Sequence, residues 1–161
     1  MYHVNHTINE MNDITDQEYA VIVEARNILN KYARTHAQYF NSTATTKEYF
    51  RYHIGNLNRE HFMVLFLRND LSLISADTMF IGSLNEVVVD PIEITRRALI
   101  LQSNAVIIAH NHPSGANGPS DLDMSLTKNI IAYLRSFNIE LLDHVIVGSK
   151  TYSMSEEGTL H

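Results

Sequence analysis

Two imidazoles and a carboxylate, His110, His112 and Asp123, fall within fourteen residues of this chain. Side chains alternate along a strand, so residues two apart share a face, and both imidazoles can aim at one ion. The apolar run Val106-Ile107-Ile108-Ala109 supplies such a strand, of the kind covered on both faces. Pro113 and Gly115 then force the chain out of it. A loop through Gly118 and Pro119 leads to a helix beginning near Ser120, which puts Asp123 in its first turn. Catalytic zinc sites use three protein ligands and leave a fourth position to water, whereas structural sites are closed by four, usually with cysteines. The chain has no cysteine. Zinc held here is therefore expected in an open, hydrolytic site. Each fragment also has a plainer reading, the His-X-His pair as ordinary polar strand residues and Ser120-X-X-Asp123 as a helix capping box. The combination, joined by the Pro113-Ser114-Gly115 turn, is what favours the metal.

His110-X-His112, ten residues, then Asp123 with Ser120 three before it, resembles the signature of the JAMM (JAB/MPN) metalloproteases. The fuller string His110-Asn111-His112-Pro113-Ser114-Gly115, with Pro119-Ser120 and Asp123, resembles the RadC branch of that family. Arg59-Glu60-His61-Phe62, Asp90-Pro91 and Asp143-His144-Val145-Ile146-Val147-Gly148 extend the resemblance to roughly residues 42–158. It implies a catalytic glutamate at Glu60, which spacing alone does not choose over Glu48 or Glu86. It also implies Zn2+ on His110, His112 and Asp123, and cleavage of an amide, peptide or isopeptide bond in a peptide or protein-conjugate substrate. Zinc lowers the pKa of its water from 15.7 to about 7, and a carboxylate within reach can take the proton, help worth about 10²–10⁴ in rate. The same carboxyl can then protonate the leaving amine. Ser120 would steady the oxyanion, although its hydroxyl is also the natural helix N-cap and has one proton to give.

The RadC resemblance carries a second reading, a DNA-associated accessory factor of DNA-repair label that uses the fold as a binding module. Longer members precede the domain with a helix-hairpin-helix segment, for which this sequence has no room. The net charge of −6 and a single adjacent basic pair, Arg96-Arg97, argue against broad phosphate binding. A two-metal nuclease needs a richer carboxylate cluster. Of the remaining histidines, His61 follows Glu60 and faces the other way on a strand, a structural position. His144 lies at the entry to a strand and is open to a role behind the ligands. His3, His6, His36, His53 and His161 are scattered and read as exposed or core residues.

A chain of 161 residues with 45% hydrophobic and 19% charged residues suits one compact domain and a modest extension. We expect an N-terminal arm and amphipathic helix over residues 1–40 and the metal-dependent domain over 41–161. No run reaches membrane-spanning length and no signal-peptide pattern opens the chain, so a reducing cytoplasm is the expected home. Residues 1–13 read as a polar arm. Thr15-Asp16-Gln17-Glu18 is a capping box, and Val21, Ala25, Ile28, Leu29 and Tyr32 share a helical face that docks on the domain or forms a homodimer. A second box, Thr45-X-X-Glu48, is expected to open a helix carrying Tyr49, Phe50, Ile54 and Leu57. Strands Phe62–Leu67 and Leu71–Ser75 flank a hairpin turn, and Phe80–Val89 reads as extended with a break at Gly82. Pro91 starts a helix with Ile92, Thr95, Ala98, Leu99 and Gln102 on its inner face. The helix Leu122–Phe137 should bury Leu126, Ile130, Tyr133, Leu134 and Phe137, and Ile139–Val147 and Tyr152 should be strands. Hairpin strands followed by strands separated by helices predict an α+β, mixed α/β sandwich. The resemblance specifies it as the MPN/JAB, cytidine-deaminase-like fold, a central mixed β-sheet flanked by helices.

Overall fold

A computed structural model of the chain describes residues 15–82 and 89–161. Its contacts divide the chain between Ala37 and Gln38. In the first unit, helix α1 spans Asp16–His36 and starts at the capping box read from the sequence, with Thr15 as N-cap and Glu18 closing it. The second unit holds everything else.

Helix α2 spans Thr43–Ile54, and its cap differs from the expectation. Ser42 is extended, with φ −143° and ψ 144°, and its hydroxyl oxygen accepts from the Thr45 N–H. The helix therefore begins before the Thr45-X-X-Glu48 box, because an equally good cap lies three residues upstream. Strands β1 (His61–Leu67), β2 (Leu73–Ile81), β3 (Ala105–Asn111), β4 (Glu140–Val147) and β5 (Thr151–Ser153) form one sheet in the order β2-β1-β3-β4-β5. β1 pairs antiparallel with β2 and β3, and β5 antiparallel with β4. β3 and β4 are parallel. A parallel pair needs a long crossover, which helix α4 (Asp121–Arg135) supplies. Helix α3 spans Pro91–Ile100 and delivers the chain to β3. The expected mixed sheet flanked by helices is what forms.

The hairpin turn is two residues longer than its sequence suggests. Asp70 accepts from both the backbone N–H and the hydroxyl of Ser72, and Leu71 turns through φ 64°, so β2 starts at Leu73. Phe80 and Ile81 belong to β2, while most of the expected Phe80–Val89 segment lies outside the described residues.

Alternation along the strands builds two cores. Met63, Leu65, Leu67, Ile107, Ala109, Val145 and Val147 face Phe50 and Ile54 of α2. Phe62, Val64, Phe66, Val106 and Ile108 face Ile94 and Ala98 of α3 and Ile130 and Leu134 of α4. Ile130 and Leu134 are fully buried, a state that stabilises by roughly 1.5–3 kcal/mol for each such side chain. Both helices turn slightly from the expected faces. In α3 the buried residues are Ile94, Thr95 and Ala98, while Ile92 and Leu99 are exposed. In α4 they are Thr127, Ile130 and Leu134, while Tyr133 and, just past the helix, Phe137 are exposed. No described helix is long and apolar enough to cross a membrane.

Candidate metal centre

β3 is buried along its whole length, and its last turn of alternation brings His110 to the α3/α4 side of the sheet. His112 lies one step beyond the strand, yet its N–H still donates to the Val147 carbonyl at 2.9 Å, so the strand pairing carries its backbone. From there the chain turns back. Gly115 N–H donates to His112 O, and Gly115 adopts φ +79°, a region closed to most side chains. The loop is tied down from the other side by Ser149, whose N–H and hydroxyl both donate to Gly115 O, and by Lys150 N–H, which donates to Asn117 Oδ1. Gly148 completes this contact, because a Cβ there would run into the Ala116 carbonyl.

Asp123 arrives at the same place from α4. One ligand atom from each of His110, His112 and Asp123 lies within 4.8 Å of the others, a group that could hold a metal ion. The Nε2 atoms of the two imidazoles are 2.9 Å apart. His110 Nε2 is 3.1 Å from Asp123 Oδ1, and His112 Nε2 is 3.5 Å from Oδ2. His112 Nδ1 lies 3.1 Å from the Ala116 carbonyl, which can only accept, so Nδ1 carries the ring proton and a neutral His112 turns a bare Nε2 inward. His110 Nδ1 lies 2.8 Å from Nε2 of the wholly buried His144.

The metal and capping readings of Asp123 turn out to be compatible. Its Oδ2 accepts from both the N–H and the hydroxyl of Ser120 at 2.7 Å, while Ser120 Oγ caps Asp123 N–H at 3.2 Å. Oδ1 is left facing His110. Oδ2 thus closes the helix cap while still facing His112, and Oδ1 is turned wholly to the imidazoles. Ser120 spends its one proton on Asp123 here.

The electrostatics follow the crowding. Burial pushes the Asp123 carboxyl up, but hydrogen bonds from His110 and His112, with their charges and Ser120, outweigh it and hold Asp123 far below the usual carboxylate range. The Asp123 hydrogen bond raises the His112 pKa against its partial burial, with help from Ala116 O and the charges of Asp123 and Glu60. Complete burial drives His144 well below its ordinary value, and positive charge on His110 pushes the same way.

Glu60 sits in the connection between α2 and β1, partly buried, and its carboxylate is near enough for His112 to feel its charge. Both neighbours of Glu60 are anchored by Asn111. The Asn111 amide donates to Leu57 O at 3.1 Å and Arg59 O at 3.0 Å, and its carbonyl accepts from His61 N–H at 2.7 Å. Glu60 O also accepts from Gly82 N–H at 2.9 Å. Asn111 points to the face opposite His110 and His112, so one strand end places two imidazoles and fixes the backbone that carries the glutamate. A cleft of about 480 Å³ opens beside His112, lined by Arg51, Asn56, Asn58, Gly148 and Ser149.

A family profile for the RadC-like JAB domain matches residues 40–159. The chain belongs to that family. Among its relatives, UPF0758 protein YkfG of Escherichia coli (strain K12) is 39% identical over 149 residues, covering 92% of this chain and 94% of YkfG. UPF0758 protein YfjY of the same organism is 36% identical, covering 86% of this chain and 88% of YfjY. A UPF0758 protein of Histophilus somni (strain 2336) is 43% identical over 123 residues, 76% of this chain but 55% of that longer protein.

In this RadC-like JAB domain the structure brings together His110, His112, Asp123 and Ser120, with Glu60 close by. It places His61 away from them, on β1, with Nδ1 against Arg59 O at 2.9 Å. His53 bonds Tyr49 O within α2, and His161 is exposed. His3 and His6 lie outside the described residues, as does Glu86. The sequence reading missed Asn111 and Thr127. Thr127 Oγ1 donates to Asp123 O at 2.6 Å and meets His144 Nδ1 at 2.6 Å. Its signal was present, since position i+4 on a helix lies on the face of position i.

Proposed function

We propose that this RadC-like JAB domain is a zinc-dependent hydrolase of JAMM type that cleaves an amide bond, as in a peptide or isopeptide link. The observation that carries the reading is the convergence of two imidazole Nε2 atoms and the Asp123 carboxylate, with 2.9 Å between the nitrogens, 3.1 Å from His110 to Oδ1 and 3.5 Å from His112 to Oδ2. Ligand atoms bound to a tetrahedral zinc at about 2.0–2.1 Å stand roughly 3.3 Å apart, so this donor set suits the ion with little movement. Three protein ligands leave a position open.

Zinc, when bound, supplies Lewis acidity that polarises a carbonyl and makes water a ready nucleophile near neutral pH. The chain's own residues do the rest. Glu60 serves as general base and then returns the proton to the leaving amine, held in place by the Asn111 and Gly82 anchors. Asp123 stays ionised through its neighbours and supplies negative charge at the site. Ser120 serves the oxyanion when its hydroxyl leaves Asp123 Oδ2, and otherwise orients that carboxylate. The cleft beside His112 gives an extended substrate a path to the centre.

The test is zinc content of protein purified without added metal, beside a His112→Ala variant. About one zinc per wild-type chain, lost in the variant, is expected. Glu60→Gln should then keep the zinc and lose turnover of amide or isopeptide substrates by about 10²-fold or more. Absence of zinc from the wild type even after reloading overturns the hydrolase. Salt-sensitive DNA binding in that protein would move the DNA-associated binding module to first place.

A further inference from the structure

Behind His110 runs a short chain of hydrogen bonds that the ligand set does not require. Thr127 Oγ1 lies 2.6 Å from the Asp123 carbonyl oxygen and 2.6 Å from His144 Nδ1, with Met154 Sδ at 3.7 Å. His144 Nε2 lies 2.8 Å from His110 Nδ1. Thr127 and His144 are both buried, and no described buried side-chain polar atom is left without a partner. Ring contacts close the pocket around them. Phe62 lies parallel to His110 at 6.2 Å between centroids and edge-on to His144 at 5.9 Å.

Counting protons gives this chain one direction. A main-chain carbonyl only accepts, so at 2.6 Å the single hydroxyl proton of Thr127 points at Asp123 O. Oγ1 must then accept from His144, which puts the His144 ring proton on Nδ1. His144 is wholly buried and its hydrogen-bond partners are Thr127 and His110, so a second ring proton would make a buried cation with no carboxylate beside it; Nε2 is therefore bare and accepts from His110 Nδ1–H. His110 Nδ1 thus keeps its proton on His144, and Nε2, the nitrogen aimed at Asp123 and His112, is the one free to give a lone pair to a metal. The reverse direction would set the lone pairs of Thr127 Oγ1 and Asp123 O against each other and put a proton on His110 Nε2, where a ligand needs a lone pair.

We propose that Thr127 and His144 are positioning residues, a buried relay that holds His110 as the Nδ1–H tautomer and so presents its Nε2 ready to bind the metal. The relay rests on the metal reading of His110, His112 and Asp123 for its purpose, and on hydrogen-bond geometry alone for its existence. One helix turn thus supplies both a ligand and the group that primes another. Asp123 and Thr127 are four residues apart on α4, and His144 bridges from β4, the parallel neighbour of β3.

Two measurements test it. Long-range proton–nitrogen NMR of metal-free, histidine-labelled protein at about pH 8, above the ordinary histidine pKa, reads the tautomers directly. Expected are Nδ1–H on both His110 and His144. Thr127→Val, which keeps shape and removes the hydroxyl, should weaken zinc binding about 10–100-fold and mix the His110 tautomers, while Thr127→Ser restores both. Nε2–H on wild-type His110 overturns the proposal even if the Val variant fails to fold. So does a folded Val variant with unchanged tautomers and a zinc affinity within about twofold of wild type. A wild type that binds no zinc yet shows the expected tautomers sinks the hydrolase and leaves the relay standing.

Discussion

Two helices of this protein begin with the same device. At α1, Glu18 Oε2 accepts from the Thr15 N–H at 2.8 Å and the Thr15 hydroxyl at 2.7 Å, and Thr15 Oγ1 accepts from Glu18 N–H at 3.3 Å. At α4, Asp123 Oδ2 accepts from the Ser120 N–H and hydroxyl, both at 2.7 Å, and Ser120 Oγ accepts from Asp123 N–H at 3.2 Å. Bond for bond the two boxes match. What differs is the carboxylate's second oxygen. At α4 it meets His110, and burial there is outweighed by two imidazoles that hold the acid ionised. At α1 the carboxylate is exposed, and only Thr15 lowers its pKa. A capping box therefore leaves one oxygen unspent, and chemistry arises only where the fold brings partners to it.

The sharpest way to break this comparison is to neutralise each acid in turn. Asp123→Asn should weaken zinc binding by more than about 100-fold, beyond the usual loss for an outer-shell partner, whereas Glu18→Gln should leave the affinity unchanged. Competition against a chromogenic chelator measures both. Equal effects would mean that Asp123 is no more than a cap. Asp123→Glu comes next, since it gives α4 the residue that already closes the α1 box. The cap should survive, with stability within about 0.5 kcal/mol of wild type by denaturant titration. Zinc affinity should still fall about tenfold, because one added methylene moves the second oxygen by roughly 1.5 Å. Retained affinity would show that the site adjusts freely, contrary to the crowding seen around it.

Ser120→Ala removes what the boxes share. Loss of a cap costs about 1 kcal/mol, so the midpoint of thermal unfolding should fall by about 3 °C. Zinc affinity should fall by less than about tenfold, since Asp123 keeps the Ser120 N–H and both imidazoles. A larger loss of affinity than Asp123→Glu causes would reverse the ranking and make the hydroxyl, not the placing of the oxygen, the critical element.

How far the sequence could be read follows the same division between local and assembled features. Both boxes were legible, as was the strand carrying His110 and His112, because spacing of a few residues determines them. The α2 cap was misplaced because Ser42 and Thr45 both offer good cap chemistry and the backbone uses the earlier one. Glu60 came from family resemblance, since its nearness to His112 depends on Asn111 bonding across more than fifty residues. His144 was noticed but given no partner, because its meeting with His110 depends on the parallel pairing of β3 and β4. Thr127 escaped for another reason. Counting apolar positions puts Leu126, Ile130, Tyr133, Leu134 and Phe137 on the inner face of α4, and such a count cannot see a threonine that is buried because it has two hydrogen-bonding partners there.

The smallest expected effect lies at α1 and concerns acid. The Thr15 hydroxyl, and then its N–H, hold the Glu18 carboxyl below its ordinary 4.5. A carboxyl whose folded pKa is depressed stabilises the fold above its unfolded value, and that contribution is lost as pH falls through the folded one. The start of α1 should therefore loosen only once pH falls below the ordinary 4.5, as Glu18 gains its proton and stops accepting from Thr15. Carbon NMR of the Glu18 carboxyl should show a midpoint under 4.5, and Thr15→Ala should return it toward that value. The same substitution should speed amide exchange in the first turn of α1 about fivefold, the factor for a cap worth about 1 kcal/mol, without changing zinc affinity. A shift in zinc affinity would mean that the two boxes communicate, and their likeness would then be more than local.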